Sequence, residues 1–192
     1  MDSRVRIWQK GLLVVVLTCG GAGDAAAEFR TLTVAVAHYA AVDPQAMREA
    51  KRIASEVYRR AGIDIQWVEL STYEDATRFY VNVLSKEMAA PFFSSEETVG
   101  FAVPGSRAAN VIYGRIREIA GRRHVAFGLL LGYVIAHELG HLLLPAHSHS
   151  SYGLMRASMD LGLAEAKKLR FTPDQVALMR ECLAMPPVVS TH

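Results

Sequence analysis

The sequence predicts a single α+β domain, and three observations lead to that class. The chain has 192 residues, a length that suits one hydrophobic core. Alternating, β-branched segments recur between residues 31 and 114, and helical patterns lie between and after them. No fixed-period repeat or biased tract interrupts the pattern, which excludes a solenoid or a linker. The expected order is β-α-β-β-β-β-α, followed by an irregular segment and a final helix.

The first strand and the first helix have the clearest local signals. Residues 31–39 alternate and are rich in β-branched side chains, as expected of a strand. Asp43-Pro44 then supplies an N-cap and a first-turn proline, and apolar residues recur at helical spacing until Gly62. Four further strands are predicted from alternation or from short apolar runs bounded by turn residues: 63–70, 78–84, 99–103 and 110–114.

Two more helices complete the predicted domain. Residues 125–144 are apolar around most of the helix circumference, which indicates a buried helix. Thr172-Pro173-Asp174-Gln175 is a typical helix start, and an amphipathic segment follows it to about Met185. No shift in composition marks a domain boundary between residues 28 and 192.

The N-terminus has the layout of a secretory signal peptide. Basic residues precede the apolar run 11–19, and a small-residue stretch ending at Ala27 follows it. The run is far shorter than the roughly twenty residues that span a bilayer, so we expect cleavage near Ala27 and no stable membrane insertion afterwards. A lipoprotein anchored through Cys19 is the alternative. The predicted organisation is a signal peptide over 1–27 and one secreted or periplasmic domain over 28–192.

Charge and cysteine content limit the partners of this domain and the sources of its stability. Lys and Arg total 21 against 19 Asp and Glu, so the formal net charge is +2. This lacks the basic excess typical of nucleic-acid-binding proteins, and we expect no nucleic-acid partner. Because only Cys182 remains after signal removal, stability has to come from packing or from a metal rather than from an internal disulfide.

A metal-ligand pattern lies inside the predicted buried helix. His137 and His141 are four residues apart, so both imidazoles project from one helix face, with Glu138 beside them. Zinc suits imidazole nitrogen, and three protein ligands with one open position allow a nearby carboxylate to deprotonate a polarised water. Two hydrogen-bonded core histidines are the simpler alternative, but the helix would then bury the charged Glu138 without a partner, at high cost. The pattern therefore predicts a zinc site.

The third ligand has to come from beyond the helix, which Pro145 ends. Two histidines follow, His147 and His149. The run H-E-L-G-H-L-L-L-P-A-H, with Met155 eight positions after its last histidine, resembles the extended zinc motif and Met-turn of the metzincin metallopeptidases. Its spacing to Met155 is similar to that of the matrixins.

This resemblance implies a fold and a set of residue roles. The fold would be a twisted, mainly parallel five-stranded sheet with an active-site helix and a C-terminal helix. The roles would be metal ligation by His137, His141 and His147, general-base catalysis by Glu138, and an apolar floor below the metal from Met155. Substrate would lie extended along the edge strand and pair with its backbone, here at Gly100, Phe101, Ala102 and Val103.

One position departs from the metzincin pattern. Leu144 stands where the family usually has a glycine that turns the chain, and a left-handed conformation would cost leucine about 1–2 kcal/mol. Pro145 instead pushes Leu144 into an extended conformation, which leaves the direction of the next histidines open. We expect His147 as the third ligand because its spacing matches the family, and His149 is the alternative.

Other basic and aromatic residues receive no role in the predicted metal site. Tyr152 is interpreted as a loop aromatic, and His38 and His192 as structural or solvated residues. A basic run is interpreted as a solvated helix-and-turn surface, with an acidic partner as the alternative. The run consists of Arg115, Arg117, Arg122, Arg123 and His124.

The sequence therefore predicts a secreted, monomeric zinc endopeptidase that cleaves peptide or protein substrates. Two alternatives remain. One is a zinc-stabilised binding or scaffold protein that does not hydrolyse anything, and the other is a zinc hydrolase of a different small amide. Retention of Glu138 argues against the scaffold, because a purely structural zinc site closes its fourth position with a protein ligand and needs no base.

Overall fold

A five-stranded sheet lies at the centre of the structure, a computed structural model that describes residues 29–70, 78–92, 97–103 and 106–185. The strands are β1 (Arg30–His38), β2 (Ile63–Val68), β3 (Phe79–Leu84), β4 (Gly100–Ala102) and β5 (Ala108–Ile112). Their order across the sheet is β2-β1-β3-β5-β4. All neighbouring pairs are parallel except β4 and β5, which are antiparallel. The predicted five-stranded, mainly parallel sheet is confirmed.

The central strand β1 shows why this sheet is buried. It pairs with β2 on one side and β3 on the other, and Val34 is in register with both Trp67 and Phe79. Four consecutive residues, 34–37, are buried, so both faces of β1 are covered. Parallel strands with both faces covered are typically continuous apolar runs, which is the pattern found here.

Six helices accompany the sheet in the described part of the chain. They are α1 (Pro44–Arg59), α2 (Lys86–Ala89), α3 (Tyr113–Arg123), α4 (Phe127–Leu143), α5 (Leu161–Glu165) and α6 (Pro173–Ala184). The predictions for α1, α4 and α6 agree with these bounds to within a few residues, whereas α2, α3 and α5 were not predicted. None of the described helices is long and apolar enough to cross a membrane. The predicted signal peptide lies outside the described residues.

The strand predicted at 110–114 extends only to Ile112, because Tyr113 begins α3. The Tyr113 ring packs edge-on against Phe127 at 5.0 Å between centroids, and its hydroxyl accepts a hydrogen bond from Asp43 N at 2.9 Å. These contacts join α3 to α4 and to the start of α1. Tertiary packing therefore overrides the β-propensity of this tyrosine.

Close packing of α1 against α4 fixes the position of the buried helix. A Cβ on Gly132 would lie 2.6 Å from Ile53 Cβ and 2.8 Å from Ala50 O, so only glycine fits at this crossing. The buried Tyr58 hydroxyl donates to Ala136 O at 3.2 Å, one residue before the first histidine of the motif. The metal-ligand pattern of α4 is thus held by helix packing on its N-terminal side.

Candidate metal centre

Helix α4 brings two imidazoles of the predicted site together. His137 is 9% exposed, and its Nε2 lies 3.1 Å from His141 Nε2, one helical turn later. The i,i+4 spacing accounts for this approach, since residues four apart project from the same helix face. Their ring centroids are 4.8 Å apart.

His149 completes a cluster of three imidazoles. Its Nε2 lies 3.1 Å from His141 Nε2, and one nitrogen from each of His137, His141 and His149 falls within 4.8 Å of the other two. A tetrahedral zinc ion with Zn–N distances of about 2.0–2.1 Å separates its ligand nitrogens by about 3.3–3.4 Å. The two separations from His141 Nε2, 3.1 Å each, are close to this value, and all three nitrogens lie within 4.8 Å of one another, so they suit one shared ion.

The structure does not bring His147, our preferred third ligand, to this cluster. Leu144 is extended (φ −106°, ψ 155°), as expected before proline, and the left-handed turn falls instead on His147, at φ 61°. The chain reverses three residues later than a glycine at position 144 would have allowed. His147 is exposed along the same cleft, and the alternative ligand, His149, occupies the third position.

Hydrogen bonds orient two of the clustered rings. His137 Nδ1 lies 2.8 Å from Leu154 O, an acceptor, so this nitrogen carries the proton and Nε2 keeps its lone pair for a metal. His141 Nδ1 lies 3.1 Å from Ser148 Oγ, on the loop that carries His149. Both partners come from residues 148–154 and connect that loop to α4.

Gln175 on α6 holds the chain on both sides of His149. Its Nε2 donates to Ser148 O at 3.4 Å and to Ser150 Oγ at 3.3 Å, and its side chain is buried. Its Oε1 accepts from Thr172 N at 2.9 Å, which completes a capping box at the start of α6. In the sequence, Gln175 is recognisable only as part of a helix start. The capping pattern gave a clue to its orientation but not to its contact with the histidine loop.

Burial determines the charge states of the motif residues. It raises the pKa of Glu138 to about 8 and lowers the pKa of His141 to about 4; the pKa of His137 is also lowered by burial. Neutral imidazoles are the form that binds metal. Glu138 Oε2 has no hydrogen-bond partner in the described part of the chain, although Glu138 is only 5% exposed. A cation nearby would compensate this carboxylate and lower its pKa again, so the donor set fits a metal.

Met155 packs against the helical turn that carries the histidines. It is fully buried, and a Cβ on Gly140 would lie 2.7 Å from Met155 Sδ. The preceding turn contains Gly153 at φ +80°, where a Cβ would lie 2.7 Å from Arg170 O. Ser150 N donates to Met155 O at 2.9 Å, which closes the segment that carries His149. Met155 thus lies beside the turn of α4 that carries the histidines.

The edge strand β4 borders the carboxylate. A Cβ on Gly100 would lie 2.7 Å from Glu138 Oε1, so glycine is required where β4 passes this side chain. Asn110 Nδ2 donates to Phe101 O at 3.3 Å, and Asn82 Nδ2 donates to Asn110 Oδ1 at 3.0 Å. These amides tie β4 to the sheet.

A cleft of about 1610 Å³ runs between β4 and the loop after α4. The predicted substrate strand, Gly100, Phe101, Ala102 and Val103, lines it together with the three clustered histidines and Glu138. Tyr152 is 65% exposed and has no place in the histidine cluster, in agreement with its interpretation as a loop aromatic. The arrangement can hold a metal among the residues that line this cleft.

Solved structures resemble this fold at low sequence identity. An archaemetzincin from Methanopyrus kandleri has a TM-score of 0.57 and 14% identity, covering 81% of this chain and 97% of the other. A zinc-dependent peptidase from Methanocorpusculum labreanum (strain Z) has a TM-score of 0.52 and 12% identity, covering 76% and 99%. No family model and no curated protein matches the sequence. The chain therefore shares its fold with an archaemetzincin and a zinc-dependent peptidase, and nothing in these likenesses is specific to matrixins.

Proposed function

We propose that this chain is a zinc-dependent peptidase with His137, His141 and His149 as ligands and Glu138 as general base. The observation that carries the proposal is the convergence of three imidazole nitrogens within 4.8 Å at the floor of the cleft that Glu138 also lines. The fold shared with two zinc peptidases supports the same reading. Imidazole donors favour zinc over harder cations such as magnesium or calcium.

The zinc ion, Glu138 and strand β4 would each have a different role in peptide hydrolysis. Zinc, when bound, supplies Lewis acidity that polarises a water and the scissile carbonyl. Glu138 takes the proton of the attacking water and then delivers it to the leaving amine. Backbone groups of β4 pair with an extended substrate and hold its scissile bond over the histidines. The near absence of solvent around Glu138 strengthens its electrostatic contacts with the reacting groups.

The ligand count favours catalysis over the scaffold alternative. Structural zinc sites are closed by four protein ligands, whereas catalytic sites use three and keep one position open. The cluster formed by described residues has three members. A buried carboxylate whose Oε2 finds no hydrogen-bond partner among the described residues, one residue from a ligand, has no use in a closed structural site.

The N-terminal segment supports export of this enzyme. Basic residues, the apolar run 11–19 and the small residues up to Ala27 have the order that signal peptidases recognise. We propose that the protein acts outside the cytoplasm, as residues 28–192, on peptides or proteins. An extracellular or periplasmic enzyme also suits a chain whose mature part has one cysteine and depends on metal rather than on disulfides.

Metal content and cleavage test this proposal together. Native mass spectrometry of the purified protein should find one zinc per chain, and chelation should lower the melting temperature, because an ion bound only by the native state stabilises it. The zinc-loaded protein should cleave members of an unbiased peptide library. A protein that binds no zinc, or that binds zinc and cleaves no peptide, would contradict the proposal.

A further inference from the structure

Four arginines line the cleft that contains the histidine cluster. Arg107 directly precedes β5, Arg122 and Arg123 end α3, and Arg156 directly follows Met155. Three separate segments of the chain thus each contribute arginines to the lining of one cavity. In the run at 115–124, interpreted as a solvated helix-and-turn surface, Arg122 and Arg123 are exposed and line the cleft, whereas Arg115 departs from that interpretation because it is only 3% exposed.

The charge around the cleft is unbalanced. Its described lining contains four arginines but two carboxylates, Glu97 and Glu138. The ion pairs found among described residues use other basic side chains: Arg52, Arg59, Arg60 and Lys86. The chain as a whole carries a formal charge of only +2, so the positive charge of the cleft is a local concentration. A cleft lined by one sign of charge attracts ligands of the opposite sign.

Local structure accounts for only part of this arrangement. Basic residues at a helix C-terminus interact favourably with the helix dipole, which is sufficient to explain Arg122 and Arg123. No helix end requires Arg107 or Arg156. The guanidinium carbon of Arg107 lies 4.8 Å from the centre of the Phe79 ring, a cation–π contact that fixes it at the cleft wall. The planar fork of arginine matches a carboxylate in a bidentate way.

We infer that the cleft selects peptide segments with aspartate or glutamate near the scissile bond. This inference rests on the proposed peptidase function and specifies its substrate class. The edge strand β4 would align the peptide backbone, and the arginines would pair with its acidic side chains on either side of the zinc ligands. The carboxylates must flank the scissile position, because Glu138 lies beneath β4 at Gly100 and would repel an acidic group there.

Three matched peptides test the inference. They share one library sequence, the best substrate of the screen or, if none is cleaved, its tightest binder, and carry glutamate, glutamine or lysine at positions that flank its centre. Affinity is measured by fluorescence anisotropy with the zinc-loaded Glu138→Gln full chain, and kcat/KM with the wild-type full chain. Each exposed charge pair changes an equilibrium by up to about fivefold, so we expect roughly tenfold preference for the glutamate peptide over the lysine peptide. The preference should shrink as salt is added.

Two double variants with the same change in charge test whether the preference for the glutamate peptide comes from the cleft arginines. Arg123→Gln/Arg156→Gln removes two cleft arginines from separate segments and should reduce the glutamate-over-lysine ratio to about three, as expected when two of four equal weak pairs are lost. Arg48→Gln/Arg180→Gln removes two exposed arginines from α1 and α6, outside the cleft, and should leave the ratio unchanged. All four positions are exposed, and melting temperatures of the variants verify that they fold.

The outcomes separate this inference from the proposed function. Cleavage of all three peptides with equal kcat/KM and equal affinity would overturn the acidic preference and leave the peptidase in place. Selective binding of the glutamate peptide without cleavage of any peptide would overturn the peptidase and support the cleft's selectivity. An unchanged ratio in Arg123→Gln/Arg156→Gln, or tighter binding of a single-stranded oligonucleotide than of the glutamate peptide, would also overturn the inference.

Discussion

Helix α4 and the loop that follows it place their histidines by different means. In α4, the backbone repeat alone directs His137 and His141 to one face, and their Nε2 atoms lie 3.1 Å apart. In the loop, His149 depends on contacts with distant residues. Gln175 holds the chain on both sides of it, and Leu154, which accepts from His137, is itself fixed by Arg170 O at 2.7 Å.

The difference shows which ligand positions of a metal site are determined by the local sequence and which are determined by tertiary contacts. A ligand pair on a helix survives as long as the helix forms, because the geometry belongs to the backbone. A ligand on a loop exists only in the context of the whole fold, since its position is the sum of several tertiary contacts. The two halves of the centre should therefore respond differently to substitutions of neighbouring residues, while responding alike to loss of a ligand.

The largest expected effect is loss of a ligand from either half. His141→Ala and His149→Ala should each weaken zinc binding by more than the roughly 100-fold that loss of a supporting partner can cause, because an imidazole is removed from the metal itself. His147→Ala should bind zinc almost as wild type does. Competition with a chelator of known affinity measures all three. If His147→Ala loses zinc strongly and His149→Ala retains it, the third zinc ligand is His147 and not His149.

The next effect separates binding from reaction within the helix. Glu138→Gln keeps the shape of the side chain and removes its basicity, so zinc affinity should change little while kcat falls by about 10²–10⁴-fold. Activity and zinc content of both proteins are measured at equal metal occupancy. Turnover equal to that of wild type would remove Glu138 from the reaction. The scaffold alternative instead requires that the wild type cleave no peptide at all.

The helix half of the centre could be predicted from the sequence, whereas the loop half could not. Alternation and β-branched residues predicted the sheet, and the i,i+4 spacing predicted His137, Glu138 and His141 as a unit. Leu144 revealed that the following turn must differ from the metzincin pattern. It did not reveal where the chain would reverse, because that reversal at His147 depends on packing against α6 and Arg170, which no local pattern encodes. Spacing therefore favoured His147, whereas the structure groups His149 with His137 and His141.

A substitution in α6 can disturb the loop half of the centre without touching the helix cap. Gln175→Glu keeps an oxygen that accepts from Thr172 N but loses the amide that donates to Ser148 O and Ser150 Oγ. Because those bonds hold the chain around His149, zinc affinity should fall by about 10–100-fold, as for other partners that orient a ligand. Isothermal titration of the metal-free protein with zinc measures the change.

Thr172→Ala is the matched control for this prediction. It removes the side chain that accepts from Gln175 N, so it should lower the free energy of unfolding by about 1 kcal/mol while leaving zinc affinity nearly unchanged. If Gln175→Glu and Thr172→Ala lower zinc affinity equally, the effect of Gln175 would belong to helix capping and not to the histidine loop.

A loop glycine and a helix glycine compare the two halves of the centre in stability rather than in zinc affinity. Gly153→Ala places a side chain at φ +80° and 2.7 Å from a backbone oxygen that cannot move easily, so the free energy of unfolding should fall by about 2–3 kcal/mol. Gly140→Ala gains helix propensity worth about 1 kcal/mol, but its Cβ would lie 2.7 Å from Met155 Sδ and 3.0 Å from Phe171 Cε1. Met155 is flexible and can shift, so the net loss should be only about 1 kcal/mol.

Gly121→Ala is the control, since it has open space around it in α3 and should be neutral or stabilising. Urea denaturation of the zinc-free proteins measures all three, and a larger loss in Gly140→Ala than in Gly153→Ala would mean that the helix half, and not the loop half, is the more tightly constrained part of the centre.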